Sequence, residues 1–215
     1  MVTQDREKPY FRHDVPQLFV MKLLLKIVGF LLLWVPLQAN AVEKISVTLN
    51  AELQREITKL PVIKGDILRT NDLKGQVVLI SFFASWCPPC NTEFQHLNDF
   101  QAAYRGKPLK IIAINYFEDL GGFKDDGERL DRFIYRHKPK FHVLKGNDAL
   151  AKQFEDVQRI PTVFIFDQKG QKSLHFIHRY KSKKTNPTTA ELETVLNKLL
   201  GSPSLGNAPR HPKRH

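Results

Sequence analysis

Residues 77–90 read VVLISFFASWCPPC. Their first eight positions form an apolar run, the pattern of a strand buried on both faces in a central sheet. After Ser85 and Trp86 come the only two cysteines of the chain, Cys87 and Cys90, separated by Pro88 and Pro89. A helix is expected to follow, ending at about Tyr104. A C-x-x-C pair has two common chemical readings, half a zinc site or a dithiol that cycles with a disulfide. A structural zinc site needs two more ligands in paired spacing. No third cysteine exists, and His96, His137, His142, His175 and His178 show no ligand pattern. Redox chemistry is therefore expected, with no metal and no cofactor. A strand hands the first cysteine to a helix N-terminus, where unpaired N–H groups and the helix dipole stabilise a thiolate. Cys87 is the expected exposed nucleophile. Cys90, one turn further in, is the expected buried resolving thiol.

The helix after the pair can be projected at about 100° per residue. Cys90, Phe94, Leu97, Phe100 and Tyr104 then form one apolar stripe. Glu93 falls inside it, one turn after Cys90. Burial there raises a carboxyl pKa. A carboxylate beside the inner sulfur can take its proton when a mixed disulfide is resolved. The alternative is a Glu93 at the edge of the stripe that reaches water.

Outward from this centre the chain alternates strands and helices, which implies an α/β sheet with mixed pairing. Before it, Ile45, Val47 and Leu49 alternate like a short strand, and residues 51–59 are weakly helical. After it, residues 109–116 (LKIIAINY) form a second buried strand. Residues 128–137 form a helix with Leu130, Phe133 and Ile134 on one face, and residues 141–144 and 149–154 a short strand and a short helix. Residues 162–166 (TVFIF) are a strand, Asp167 to Gly170 a turn, and residues 173–180 the partner strand of a hairpin. The last helix covers residues 189–200, with Thr188 and Glu191 at capping-box spacing, Pro187 as a start signal and Gly201 as a stop. Residues 201–215 are a Pro-rich basic tail, expected to be disordered.

The chain has 215 residues, 42% of them hydrophobic and 26% charged, which suits one domain with a sizeable core and excludes both a disordered chain and a multi-span membrane protein. After Met21 come Lys22 and Lys26, an apolar run over residues 27–37, and the pair Ala39-x-Ala41. This is the layout of a secretory signal peptide over residues 21–41, with a core too short to span a bilayer; an uncleaved anchor is the alternative. Residues 1–20 are polar and unlike a leader, so translation is expected to start at Met21. A periplasmic domain over residues 42–200 follows. The net charge of +11 falls to +9 without residues 1–41, where five basic and three acidic residues lie. Such a charge draws a protein toward anionic membrane surfaces and acidic partners; no nucleic-acid motif is present.

These residues resemble a known family. Residues 82–94, FFASWCPPCNTEF, together with Val157, Ile160-Pro161-Thr162 and Gly170, are similar to thioredoxin-fold proteins of the TlpA-like branch. That branch includes the ResA-like and cytochrome c maturation thioredoxins of the bacterial envelope. The resemblance covers most of residues 60–180 and implies a thioredoxin fold: a central mixed β-sheet flanked by helices, with a mid-fold αβ insertion at residues 118–148 and an N-terminal extension. Cytosolic thioredoxins carry a buried Asp six residues before the first cysteine, and here that position is Ser81; the branch instead places a Glu where Glu93 stands. The resemblance also implies a cis-proline at Pro161, opposite the disulfide, with Ile160 beside it facing an incoming peptide. Trp86, Pro88 and Pro89 are expected to shape the same surface. Departures are His142 after Phe141 where the branch has proline, Asp156 where it has glycine, and an unusually acidic loop from Glu118 to Asp131.

The expected activity is thiol–disulfide exchange: reduction of envelope protein disulfides, often those of apocytochrome c in the family, with a membrane thiol–disulfide carrier as electron donor. A disulfide-forming oxidase or isomerase of the same fold is the first rival, since potentials across this fold span roughly −270 to −120 mV. A copper metallochaperone is the second.

Overall fold

The computed structural model describes residues 46–202, apart from 123, 125, 126, 179, 180 and 182. The proposed start at Met21, the signal peptide and almost all of the basic tail lie outside those residues. Chain order begins with helix α1 (Ala51–Thr58) and strand β1 (Val62–Lys64), followed by a 3-10 turn at Thr70–Leu73. Strand β2 (Val77–Phe83), helix α2 (Pro88–Ala103) and strand β3 (Leu109–Asn115) come next. Helix α3 (Glu128–His137) and β4 (His142–Lys145) lie within the mid-fold insertion, and α4 (Asp148–Gln153) follows it. The hairpin β5 (Thr162–Phe166) and β6 (Lys172–Ile177) and the final helix α5 (Thr189–Leu200) complete the chain.

The strands form one sheet in the order β1-β4-β3-β2-β5-β6. β2 is its centre. It runs parallel to β3 from Val77↔Leu109 to Phe83↔Asn115 and antiparallel to β5 from Val78↔Phe166 to Phe82↔Thr162. All seven residues of β2 are buried, as its apolar run requires. Beside it Phe82, Phe154, Phe164 and Phe166 pack as a chain of edge-on and stacked rings at centroid distances of 5.1–6.3 Å. Such contacts add to the burial of large apolar side chains. No helix among the described residues is long and apolar enough to cross a membrane.

One expectation is corrected here. The alternation at Val47 and Leu49 buries both side chains, yet residues 46–50 form no strand. Leu49 N–H donates to the Gly170 carbonyl at 2.9 Å, so this lead-in docks on the β5–β6 turn and not on a strand edge. Strand β1 escapes the sequence pattern, because three residues are too few to show a period; it exists by antiparallel pairing with β4, Val62 opposite Leu144. At Asp156, where the resembling branch has glycine, the backbone is left-handed with φ 57°, a conformation that Asp tolerates better than most residues.

Candidate redox site

The parallel register of β2 and β3 brings both strands to the same end of the sheet, with Phe83 opposite Asn115. The loop after β2 leads directly into α2, whose N-cap residue is Cys87. Cys87 and Cys90 form a disulfide with Cα atoms 5.3 Å apart. Cys90 is fully buried, and Cys87 is 3% exposed. The exposed nucleophile expected from the sequence is thus almost covered in the disulfide form. Half-buried Trp86 and the two prolines line, together with Cys87, a groove of about 280 Å³. Ile160 and His178 are among its other lining residues.

The helix N-terminus also differs from expectation. A helix start leaves its first N–H groups without intrahelical partners. Here Pro88 and Pro89 have no N–H to offer. Cys87 N–H donates to the Ala84 carbonyl at 3.2 Å, and Cys90 N–H to the Cys87 carbonyl at 3.1 Å. The terminal donors are therefore missing or already engaged. What remains to favour a thiolate at Cys87 is the helix dipole.

Glu93 sits where the helix projection placed it, 2% exposed among Cys90, Phe94, Leu97 and Phe100. Ser81 Oγ donates to its Oε1, while Oε2 is buried with no hydrogen-bond partner among the described residues. Burial raises its pKa to about 7, against the smaller opposing effect of the Ser81 hydrogen bond. Ser81 belongs to β2 and Glu93 to α2, so the carboxyl is held between the central strand and the redox helix.

On the other side of the groove the Ile160–Pro161 peptide bond is cis. His178 Nδ1 lies 2.9 Å from the Ile160 carbonyl. His175 lies elsewhere, stacked on Phe164 and paired with Glu155 at 3.0 Å.

Two groups near the pair carried no functional signal in the sequence. Asn91 Nδ2 donates to the Cys87 carbonyl at 3.2 Å, and its Oδ1 lies 3.0 Å from His137 Nε2. That pairing requires the proton on Nε2 of His137. Burial, and then the Arg136 charge, lower the pKa of this imidazole, which packs on Phe133 and Phe94. Glu118, noted only as part of an acidic loop, meets Ser85 and Asn115. The available signal was positional: both residues flank the cysteine pair at the ends of elements that converge there.

A disulfide at a helix mouth, with a buried carboxyl one turn behind it on this sheet, defines a thiol–disulfide oxidoreductase of thioredoxin fold. Comparison with known proteins agrees. The AhpC/TSA family model matches residues 54–171, just over half of the sequence, and the chain belongs to that family. It is 28% identical over 162 residues to the sporulation thiol-disulfide oxidoreductase A of Bacillus subtilis, covering 75% of this chain and 86% of that one. It is 27% identical over 106 residues to the thiol-disulfide oxidoreductase ResA of Oceanobacillus iheyensis. That match covers 48% of this chain and only half of ResA's length. Among solved structures it is similar to a thioredoxin-like protein from Aeropyrum pernix, with TM-score 0.51 and 26% identity, covering 68% of this chain and 92% of the other.

Proposed function

We propose that this protein is exported and reduces disulfides of envelope proteins, the cytochrome c maturation type of activity, drawing electrons from a membrane thiol–disulfide carrier. Cys87 thiolate attacks a substrate disulfide, forms a mixed disulfide and releases one substrate thiolate. Glu93 carboxylate takes the proton of Cys90. The Cys90 thiolate then attacks the Cys87 sulfur, closes the Cys87–Cys90 disulfide and releases the second substrate thiolate. Two electrons pass from the dithiol to the substrate, and the carrier restores the dithiol. Ile160 and Pro161 face the incoming peptide, with Trp86, Pro88 and Pro89 across the groove.

The observation that carries this reading is the buried carboxyl of Glu93 behind a fully buried Cys90. A proton acceptor there serves the resolving step, which a reductase must complete. The engaged and missing N–H donors at the helix start support the same direction. Strong oxidants of this fold stabilise their reduced form through a very acidic thiol, and little here provides that. Export rests on the leader-like residues 21–41.

Replacing Cys90 by Ser is expected to trap covalent complexes through Cys87 with exported proteins that contain cysteine pairs. The resident pair in cells is expected to be mostly reduced. A mostly oxidised pair overturns the direction, and a Cys90→Ser protein that traps nothing overturns the protein substrate.

A further inference from the structure

The two residues immediately before Cys87 are held from outside their own loop. Glu118 stands in the 3-10 turn Glu118–Gly121, just past the end of β3. Its Oε2 accepts Ser85 N–H at 3.0 Å and Asn115 Nδ2 at 2.6 Å, and its Oε1 accepts the Ser85 hydroxyl. One residue earlier, the Phe117 carbonyl accepts Trp86 Nε1 at 3.0 Å. Phe117 itself has a left-handed backbone, φ 66°. Ser85 is buried, so its N–H needs this acceptor or is left unpaired away from water. Phe117 and Leu120 of the same turn also line the groove beside Cys87.

We propose that Glu118 is a positioning residue for the exchange reaction: by clamping Ser85, and Trp86 through the adjoining carbonyl, it fixes the direction from which Cys87 meets a substrate disulfide. Attack on a disulfide needs the entering sulfur aligned with the bond that breaks, and small misplacements of a reacting atom are costly in rate. The inference rests on Cys87 being the attacking sulfur, as proposed above.

The arrangement allows charge and clamp to be separated. In Glu118→Gln the amide oxygen can still accept from Ser85 N–H and Asn115, while the amide nitrogen donates to the Ser85 hydroxyl, which reverses its role. Glu118→Ala removes every one of these bonds. The experiment follows the reduced protein, carrying Cys90→Ser, as it forms a mixed disulfide with a model peptide disulfide across a range of pH. Alkylation of the wild-type dithiol, with the modified sulfur located by mass, runs in parallel. Glu118→Ala is expected to slow mixed-disulfide formation about tenfold across the pH range, and Glu118→Gln to restore it to near the parent rate. Ser85→Ala, which keeps the N–H contact and loses the hydroxyl one, falls between them and serves in place of Glu118→Ala should that variant not fold. A Glu118→Ala rate equal to the parent overturns the proposal. So does a Glu118→Gln rate as low as that of Glu118→Ala, which assigns the effect to charge. Alkylation that falls first on Cys90 overturns the role of Cys87 instead, independently of the clamp.

Discussion

Glu93 shows most directly how a single side chain acquires a task. Its position within the apolar stripe was legible from spacing alone. Its partner was not, since nothing in a linear pattern says that Ser81 of the neighbouring strand donates to it. The physical result is a carboxyl that keeps its proton until about pH 7. Exchange by the wild-type protein is therefore expected to accelerate as pH rises through about 7, where Glu93 becomes able to accept the Cys90 proton. In Glu93→Gln that limb of the pH–rate profile disappears, and the resolving step is expected to slow about 100-fold, within the range of positioned acid–base groups. Stopped-flow measurement of mixed-disulfide breakdown at pH 6 and pH 8 checks both. Cys87 teaches the opposite lesson. Its place at the helix start was legible, but its near-complete burial was not, since exposure depends on tertiary neighbours that no pattern along the chain encodes.

At the level of elements, local signals worked where the cause of structure is local. Helix α5 is capped by Thr188 through the capping box the sequence announces: Glu191 N–H to Thr188 Oγ1 at 3.2 Å, and Thr188 N–H to Glu191 Oε2 at 2.8 Å. Thr188→Ala is expected to cost about 1 kcal/mol in urea denaturation. Where the cause is a distant partner, the signal vanished, as with β1 and the lead-in at Val47 and Leu49. Gly170 makes the second case testable. Its φ is +77°, and a Cβ there would lie 2.6 Å from the Leu49 carbonyl oxygen. Gly170→Ala must therefore both strain the turn and push away the lead-in. A loss of about 2 kcal/mol is expected, from a left-handed backbone cost of roughly 1–2 kcal/mol per residue with the clash added. Faster proteolysis around residues 46–50 should accompany it.

For the whole molecule, the buried carboxyl links folding to pH. The folded protein holds the Glu93 proton up to about pH 7, whereas an ordinary carboxyl releases it near 4.5. In that interval the folded state binds the extra proton, so its stabilising effect is complete below about pH 4.5 and lost as pH rises to about 7. The loss amounts to about 3 kcal/mol. The comparison that isolates it is wild type against Glu93→Gln, both in the disulfide form, by denaturant titration at pH 5 and pH 8. The wild type is expected to weaken relative to the variant across that span. Equal slopes would show that the carboxyl ionises freely in the fold. The same molecule-wide view explains the legibility of the fold class. An apolar central strand, a cysteine pair at a helix start and a late hairpin each specify a neighbour, and together they leave few sheet orders open.

The indole of Trp86 carries one more consequence. The chain has two tryptophans, Trp34 and Trp86, and the first lies in the segment expected to be removed on export. In the processed protein a single tryptophan would remain, adjacent in sequence to Cys87 and pinned by its ring nitrogen to the Phe117 carbonyl. Disulfides quench nearby indole emission. The processed protein is thus expected to hold its own optical gauge, brightening as the pair opens and dimming as it closes, so that electron transfer could be watched in real time without any added dye.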